Sequence, residues 1–170
     1  MIKLKIIIAG ILLLILKPIT AQVTENHIGI RGGVNSGIYF QNLVSAGTSE
    51  KAFYIMLSAS RNDARVTVLH VIYETSLSEI TENLFFTWGY GGHAGFVITD
   101  HAYFLGEKYQ FPYERFRPVA GIDGWAGIEY RFISIPLVIG LNYKPYFEIM
   151  VPGMISFEPG DFGFSIAYRF

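Results

Sequence analysis

Residues 120–132 have the sequence AGIDGWAGIEYRF, in which apolar side chains alternate with glycine, charged residues and one tryptophan. Successive side chains of an extended strand point to opposite faces, so a period of two predicts a strand with two unlike faces. One face carries Ala120, Ile122, Ala126, Ile128, Tyr130 and Phe132. The other carries Gly121, Asp123, Trp125, Gly127, Glu129 and Arg131. The segment therefore predicts a β-strand that separates an apolar from a polar environment.

The same alternation recurs along the chain and predicts eight strands. We place them at about 26–34, 36–43, 51–60, 64–75, 83–98, 117–131, 135–149 and 161–170. The predicted turns lie at 35–37, 45–47, 61–63, 76–83 and 158–160, with a short turn at Ile133-Ser134. A single bent strand is an alternative to the first two. An even number of strands allows the last to pair with the first, so the predicted fold is an eight-stranded antiparallel up-and-down β-barrel.

The distribution of polarity predicts that the barrel spans a membrane. The chain is 51% hydrophobic, yet after Leu16 no apolar stretch is long enough for a spanning helix. A soluble barrel would turn its apolar face inward, but the large residues exceed what a narrow lumen holds, and the remaining face is too rich in glycine and alanine for a water-exposed surface. The inverse arrangement is typical of outer-membrane barrels. We therefore expect the outer membrane of a Gram-negative bacterium.

The N-terminal segment predicts export. Lys3 and Lys5 precede the apolar run 6–16, which is too short to span a bilayer, so residues 1–21 are interpreted as a cleavable signal peptide and residues 22–170 as the barrel. Removing three lysines leaves ten basic against fourteen acidic residues, which argues against a nucleic-acid partner. The absence of cysteine excludes disulfides and a lipid-modified cysteine.

Charged residues concentrate on the face assigned to the lumen. If Ile133 and Ser134 form a two-residue turn, Asp123 lies directly opposite Lys144, which predicts an interior ion pair. The predicted polar network in the lumen comprises Arg31, Asp123, Glu129, Arg131, Lys144 and Arg169, with Glu74 as a further candidate. Because eight strands enclose room only for side chains, we interpret this network as structural rather than as a transport path.

The fifth strand presents small residues to the lumen. Gly89, Gly91, His93 and Gly95 share the face that we assign to the interior, next to Trp125 of the sixth strand. The glycines predict both room for the indole and places where the barrel bends.

Aromatic residues at strand ends predict a membrane-interface girdle. Its members are Phe85, Phe86, Trp88, Tyr90, Tyr130, Phe132, Tyr168 and Phe170.

The histidines give no clear prediction of chemistry. His27, His70, His93 and His101 are scattered, with no carboxylate at ligand spacing, so neither a metal nor another cofactor is expected. No serine stands at a spacing that would suggest catalysis, and the chain is not expected to be an enzyme. Were it an outer-leaflet lipid-modifying enzyme, Asp100 and His101 would be the candidate site.

The aromatic segment 99–117 is predicted to be the longest loop, and it either forms a partner surface, lies on the membrane, or extends its two strands.

YGGHAGF (90–96), GIDGWAGIEYRF (121–132), IPLVIGLNYKPYFEI (135–149) and the final FSIAYRF together resemble the small, porin-like outer-membrane β-barrel proteins of Bacteroidetes. This resemblance implies eight strands, no defined catalysis, and Asp123 and Glu129 inside the barrel. The expected role is structural or interactive, with membrane lipid and other outer-membrane proteins as partners; the alternatives are the lipid-modifying enzyme and an accessory subunit of a larger complex. Phe164, Ile166, Tyr168 and the terminal Phe170 resemble the signal by which the barrel-assembly machinery recognises its clients.

Overall fold

The computed structural model describes residues 23–46, 49–74, 81–104, 107–151 and 154–170, and the predicted signal peptide with Gln22 lies outside these ranges. The described residues form antiparallel strands and no helix. The strands are β1 Val23–Gly33, β2 Gly37–Ala46, β3 Ser49–Ala59, β4 Asp63–Glu74, β5 Leu84–Phe104, β6 Glu107–Arg131, β7 Leu137–Tyr143, β8 Tyr146–Met150, β9 Met154–Glu158 and β10 Phe162–Arg169. In the described ranges, no helix is long and apolar enough to cross a membrane.

Ten hydrogen-bonded segments make eight wall strands. β7 and β8 pair with β6 in one continuous register and form the seventh, while β9 and β10 follow each other along β8 and β7 and form the eighth. β10 pairs with β1, so the sheet closes on itself. The predicted fold class, an eight-stranded antiparallel up-and-down barrel, is confirmed, and the first two predicted strands are separate strands joined by a turn at 34–36.

The register determines how wide the barrel is. Following paired residues once round the wall leads from Val23 through Ser45, Glu50, Tyr73, Thr87, Gly127, Asn142 and Gly163 to Gly33. The path returns to β1 ten residues further along, and this stagger over eight strands corresponds to a tilt of about 40°. An interior of that width has room for side chains and for little else.

The sequence predicted a loop at 99–117. In the structure this segment is instead the outer part of a long hairpin. β5 and β6 remain paired up to Phe104 and Glu107, whereas β4 ends opposite Val97 and β8 ends opposite Val119. The hairpin therefore projects beyond the rim as a two-stranded ribbon, residues 98–104 and 107–118, as one of the predicted alternatives had it. Its frequent tyrosine and phenylalanine favour extended backbone.

Two breaks interrupt the wall at the same level. Lys144 and Pro145 separate β7 from β8, and residues 159–161 separate β9 from β10. The predicted turn at 158–160 is therefore wrong. Pro159 and Gly160 interrupt a wall strand, because proline has no backbone N–H to donate to the neighbouring strand. The Lys144 N–H donates to the Asp161 carbonyl at 2.8 Å and holds the two breaks together.

The wall has a buried inner face, on which charged and polar side chains lie among apolar ones, and an exposed outer face that is mainly apolar. Large apolar side chains on the outer face include Ile28, Ile30, Ile38, Ile55, Leu57, Val66, Val68, Ile122, Ile128, Leu141, Ile149, Phe164, Ile166 and Tyr168. Two assignments were wrong. Phe85 packs against the interior cluster instead of joining a girdle. Glu74 lies at the exposed end of β4, where its carboxylate accepts a hydrogen bond from the Trp88 indole at 3.2 Å.

Amide hydrogen exchange should distinguish the closed wall from the ribbon. We expect amides of 98–104 and 107–117 to exchange before those of 84–97 and 119–131, because the ribbon strands have a neighbour on one side only. The amides of β1 and β10 should be as protected as those of the wall. Exchange at this seam as fast as in the ribbon would show that the barrel is open.

Candidate functional site

A chain of buried ion pairs crosses the half of the interior nearest the ribbon. Arg31 of β1 donates to Asp161 at 2.9 Å, and Lys144 lies 3.4 Å from the other oxygen of that carboxylate. Lys144 Nζ also donates to Asp123 Oδ1 at 2.8 Å. Both members of the Arg31–Asp161 pair are fully enclosed. Because an unpaired charge in such a place costs several kcal/mol, each member depends on the next.

His93 of β5 extends the chain to the far wall. Its Nδ1 lies 2.9 Å from Asp123, and its Nε2 lies 3.1 Å from Glu148 of β8. Only a doubly protonated ring offers an N–H to both carboxylates. Arg65 of β4 then donates to Glu148 at 2.8 Å and to Asp63 at 3.1 Å. The network thus joins β1, β4, β5, β6, β8 and both wall breaks.

Two glycines provide the space for these side chains. A Cβ at Gly121 would lie 2.5 Å from the His93 ring, and a Cβ at Gly163 would lie 2.6 Å from the guanidinium of Arg31. These two glycines therefore make room for His93 and Arg31. Any larger residue there would displace one member of the network.

The predicted register between Asp123 and Lys144 is wrong by two residues. Asp123 pairs with Tyr146, because the turn after β6 spans residues 132–136 rather than the two residues assumed. Lys144 is instead opposite Trp125, and its long side chain reaches diagonally to the Asp123 carboxylate. The two side chains meet inside the barrel for a different geometric reason from the one predicted.

An aromatic layer lies below the network. The rings of Tyr39 and Tyr54 stack at 4.7 Å, and Trp125 lies 5.2 Å from Tyr54. The Trp125 indole donates to the Thr87 hydroxyl at 3.2 Å. Apolar side chains such as Met56 and Leu69 fill the remaining space. A cavity of about 10 Å³ beside this layer is large enough for one water molecule.

The glycines of β5 have a different role from the one predicted. A Cβ at Gly89, Gly91 or Gly95 would lie within 2.3 Å of a backbone carbonyl oxygen of β4. These positions therefore allow a close approach of two neighbouring strands rather than room for Trp125. The other half of the prediction, that these glycines mark places where the wall bends, stays a prediction.

A second ionic cluster fills the end of the barrel near the termini. Arg131 donates to Glu129 at 3.1 Å and to Glu50 at 2.8 Å, and its guanidinium lies 4.1 Å from the centre of the Phe85 ring. The Tyr73 hydroxyl donates to Glu129 at 2.9 Å. Arg169 is half-buried at the mouth, 3.7 Å from Glu25. Of the six predicted network residues, Arg31, Asp123 and Lys144 thus lie in the network nearest the ribbon. Glu129, Arg131 and Arg169 lie near the termini.

Asp100 and His101 are neighbours on the projecting ribbon, outside the closed wall. Asp100 Oδ1 lies 2.6 Å from His101 Nδ1, and this hydrogen bond lowers the pKa of the Asp100 carboxyl. The Thr99 hydroxyl lies 3.4 Å from the same ring nitrogen. A nucleophile–base–acid relay needs its hydroxyl and its acid on opposite ring nitrogens. Both contacts fall on the same ring nitrogen, so these three residues do not form such a relay.

Sequence reasoning missed Asp161, Glu148 and Arg65. Glu148 shares its strand parity with Lys144, so the alternation could have placed it inside. Asp161 began the last predicted strand, 161–170, and shares its parity with Arg169 on the lumen face, so the alternation could have placed it inside as well. His93 was thought to lack a nearby carboxylate but contacts two, since Asp123 of β6 and Glu148 of β8 both point inward at its level. No group of three metal-ligating side chains occurs in the part of the chain that the structure describes.

No protein-family model and no curated protein sequence matches this chain. Among solved structures, the chain is similar to the N-terminal β-barrel domain of Pseudomonas aeruginosa OprF, with a TM-score of 0.54 and 8% sequence identity over 86% of this chain and 96% of that chain. At this identity the likeness shows the fold alone. The fold and the interior together define a closed eight-stranded antiparallel β-barrel whose described interior is filled by paired charges and aromatic rings.

Replacing Lys144 should be far more costly than replacing an exposed lysine. Lys144→Met leaves Asp123 and Asp161 buried without their shared cation, so we expect the free energy of unfolding to fall by about 3–5 kcal/mol. Lys51→Met, at an exposed position on β3, should change it by less than about 0.5 kcal/mol. Urea unfolding in detergent, followed by tryptophan fluorescence, measures both. Equal losses would contradict a network that depends on Lys144.

Gly163 should not tolerate a side chain, whereas Gly32 should. Gly163→Val would force the Arg31 guanidinium out of place and lower stability by about 2 kcal/mol or more. Gly32→Val adds its Cβ where no other atom lies within 4 Å. The same unfolding measurement should find this control close to the parent. A tolerated valine at 163 would mean that Arg31 does not need its observed position.

Proposed function

We propose that the chain is an integral outer-membrane β-barrel protein of a Gram-negative bacterium, with a structural or interaction role. The observation that carries this proposal is the inversion of polarity across the wall. Ile38 and Ile122 are 60% and 66% exposed on the outer face, while Arg31, Asp123 and Lys144 are buried within. In water, so continuous an apolar surface would promote aggregation, whereas in lipid it is the favoured surface.

The filled interior favours a role that does not depend on transport. Ion pairs, stacked aromatic rings and the cluster around Arg131 occupy successive levels of the barrel. Between the aromatic rings and the Arg131 cluster, the structure leaves space for about one water. Function then rests on the outer wall and on the ribbon. Tyr113 and Phe116 are exposed on that ribbon and offer a surface to other molecules.

The end of the barrel that holds both chain termini carries an outer-face pair suited to the membrane–water interface. Trp88 and Glu74 are hydrogen-bonded on the outer face near the end that holds both chain termini, as expected at a headgroup boundary. We assign this end to the periplasm and the ribbon to the cell exterior. Lipid is then the main partner, and the exposed row Phe164, Ile166, Tyr168 and Phe170 is proposed as the segment that the barrel-assembly machinery recognises.

Membrane insertion can be tested by fractionation and electrophoresis. The protein should remain in the outer-membrane fraction after carbonate extraction, and it should migrate differently before and after boiling, because a closed barrel resists unfolding by detergent. A protein that stays in the soluble periplasmic fraction and migrates identically in both states would overturn the proposal.

A charge on the outer wall should be costly in a membrane but harmless on the ribbon. Ile38 lies on β2 within the apolar band, and Ile38→Arg should lower the free energy of unfolding in lipid vesicles by about 2–4 kcal/mol. Gln110→Arg, at an exposed ribbon position, should have an effect below about 0.5 kcal/mol. If both variants match the parent protein, the outer wall does not face lipid.

A further inference from the structure

His93 connects two strands that are not neighbours in the wall. His93 of β5 and Glu148 of β8 are both register partners of Gly121, which lies between them on β6. Because Gly121 has no side chain, the imidazole passes over β6, and its Nε2 lies 3.1 Å from the Glu148 carboxylate. The contact therefore ties β5 to β8 across the strand that separates them.

Both nitrogens of the His93 ring are held by carboxylates. Nδ1 lies 2.9 Å from Asp123, and the side chain is buried. Each carboxylate also has a cation of its own, because Lys144 donates to Asp123 at 2.8 Å and Arg65 donates to Glu148 at 2.8 Å. A neighbouring cation stabilises the ionised form of a carboxylate. The ring is therefore the group that carries the two protons that these contacts need.

The charges of the network lead to the same protonation state. The ion pairs that connect to His93 among the described residues link four acidic side chains with three basic ones besides the histidine itself. The acidic members are Asp63, Asp123, Glu148 and Asp161, and the basic members are Arg31, Arg65 and Lys144. A neutral ring leaves one negative charge uncompensated inside the barrel, which is costly, whereas a doubly protonated ring balances it.

Two further side chains face the His93 ring, and neither replaces this charge. The Tyr146 ring of β8 meets the imidazole edge to face at 5.2 Å, and a phenol stays neutral around pH 7. Thr67, the register partner of His93 on β4, has no charge.

From this geometry we propose that His93 is a pH-sensitive clasp, whose doubly protonated ring holds β8 against the wall at neutral pH and releases it at alkaline pH. A ring that loses one proton turns a lone pair toward one of the carboxylates, so that contact becomes repulsive. β5 and β6 remain joined by their long ladder, whereas β8 has five residues and adjoins the break at Lys144 and Pro145. The strand that is released is therefore β8.

Linkage gives the direction of the pH effect. The clasped state holds a proton that the released state gives up to water, so each unit of rise in pH shifts the equilibrium toward release by up to about tenfold. Arg65 continues the contacts from Glu148 to Asp63, whose side chain is 26% exposed, so the clasp communicates with the medium on the ribbon side. It lies inside the wall and goes beyond the proposed function, since it does not depend on what the outer face contacts.

Nitrogen NMR of histidine rings measures the protonation state directly. In detergent micelles at pH 7.5, the protein should show a doubly protonated ring that is absent from His93→Gln, although an imidazole in water is then about nine-tenths neutral. A variant in which His27, His70 and His101 are all replaced by glutamine retains His93 as its one imidazole. It gives the same assignment if His93→Gln does not fold.

Glu148→Gln tests the balance of charges. It removes one negative charge from the network but keeps an oxygen that accepts a hydrogen bond, so the His93 ring should be neutral at pH 7.5. Glu114→Gln, the same change at an exposed position on the ribbon, is the matched control and should leave the ring doubly protonated.

Amide hydrogen exchange, corrected for its intrinsic dependence on pH, tests the release. Between pH 6.5 and pH 9, the protection of the β8 amides at 146–150 should fall at least fivefold, while the paired amides of β1 and β10 change less than twofold. In His93→Gln, the β8 amides should exchange at the faster rate at both pH values.

A neutral His93 ring in the parent protein at pH 7.5 would overturn the clasp, because one of the carboxylates would then hold the proton. Unchanged protection of β8 at pH 9 would also overturn it, as would an equal loss at the seam of β1 and β10, which would mean global unfolding. None of these results bears on membrane insertion, which fractionation measures separately.

Discussion

The closure of the sheet between β1 and β10 is the constraint on which the rest of this structure depends. A stagger of ten residues over eight strands sets the tilt of the wall and the width of the interior. That width is too small for a channel and too large to be left empty, so inner-face side chains must fill it. Glycine at positions 121 and 163 and long charged chains at 31 and 144 are complementary solutions to this one geometric requirement.

A filled charged interior stabilises the barrel only if every charge finds a partner. The chain of contacts from Arg31 through Asp161, Lys144, Asp123, His93 and Glu148 to Arg65 meets this condition with residues from distant parts of the sequence. It crosses both wall breaks, where Pro145 and residues 159–161 interrupt the ladder. The ionic contacts thus hold the wall together where its backbone pairing is weakest.

Alternation in segments such as 120–132 and 161–170 was sufficient to predict the strands, their two faces and the eight-stranded barrel, because the side-chain direction of a strand depends only on residue parity. Parity also placed Asp123, Lys144 and His93 inside. Parity says nothing about where a strand ends, so the segment 99–117 was predicted as a loop, and of its alternatives only the extension of the two strands agrees with the ribbon.

Turn length was equally hidden in the sequence. The five-residue connection at 132–136 shifted the predicted register by two, which preserves the face of every residue but changes its partner. The sequence by itself therefore determined which side chains face inward, and only the tertiary structure decided which of them meet. The physical reason is that facing is a local property of extended backbone, whereas contact across a barrel depends on stagger, on breaks and on strands far apart in the chain.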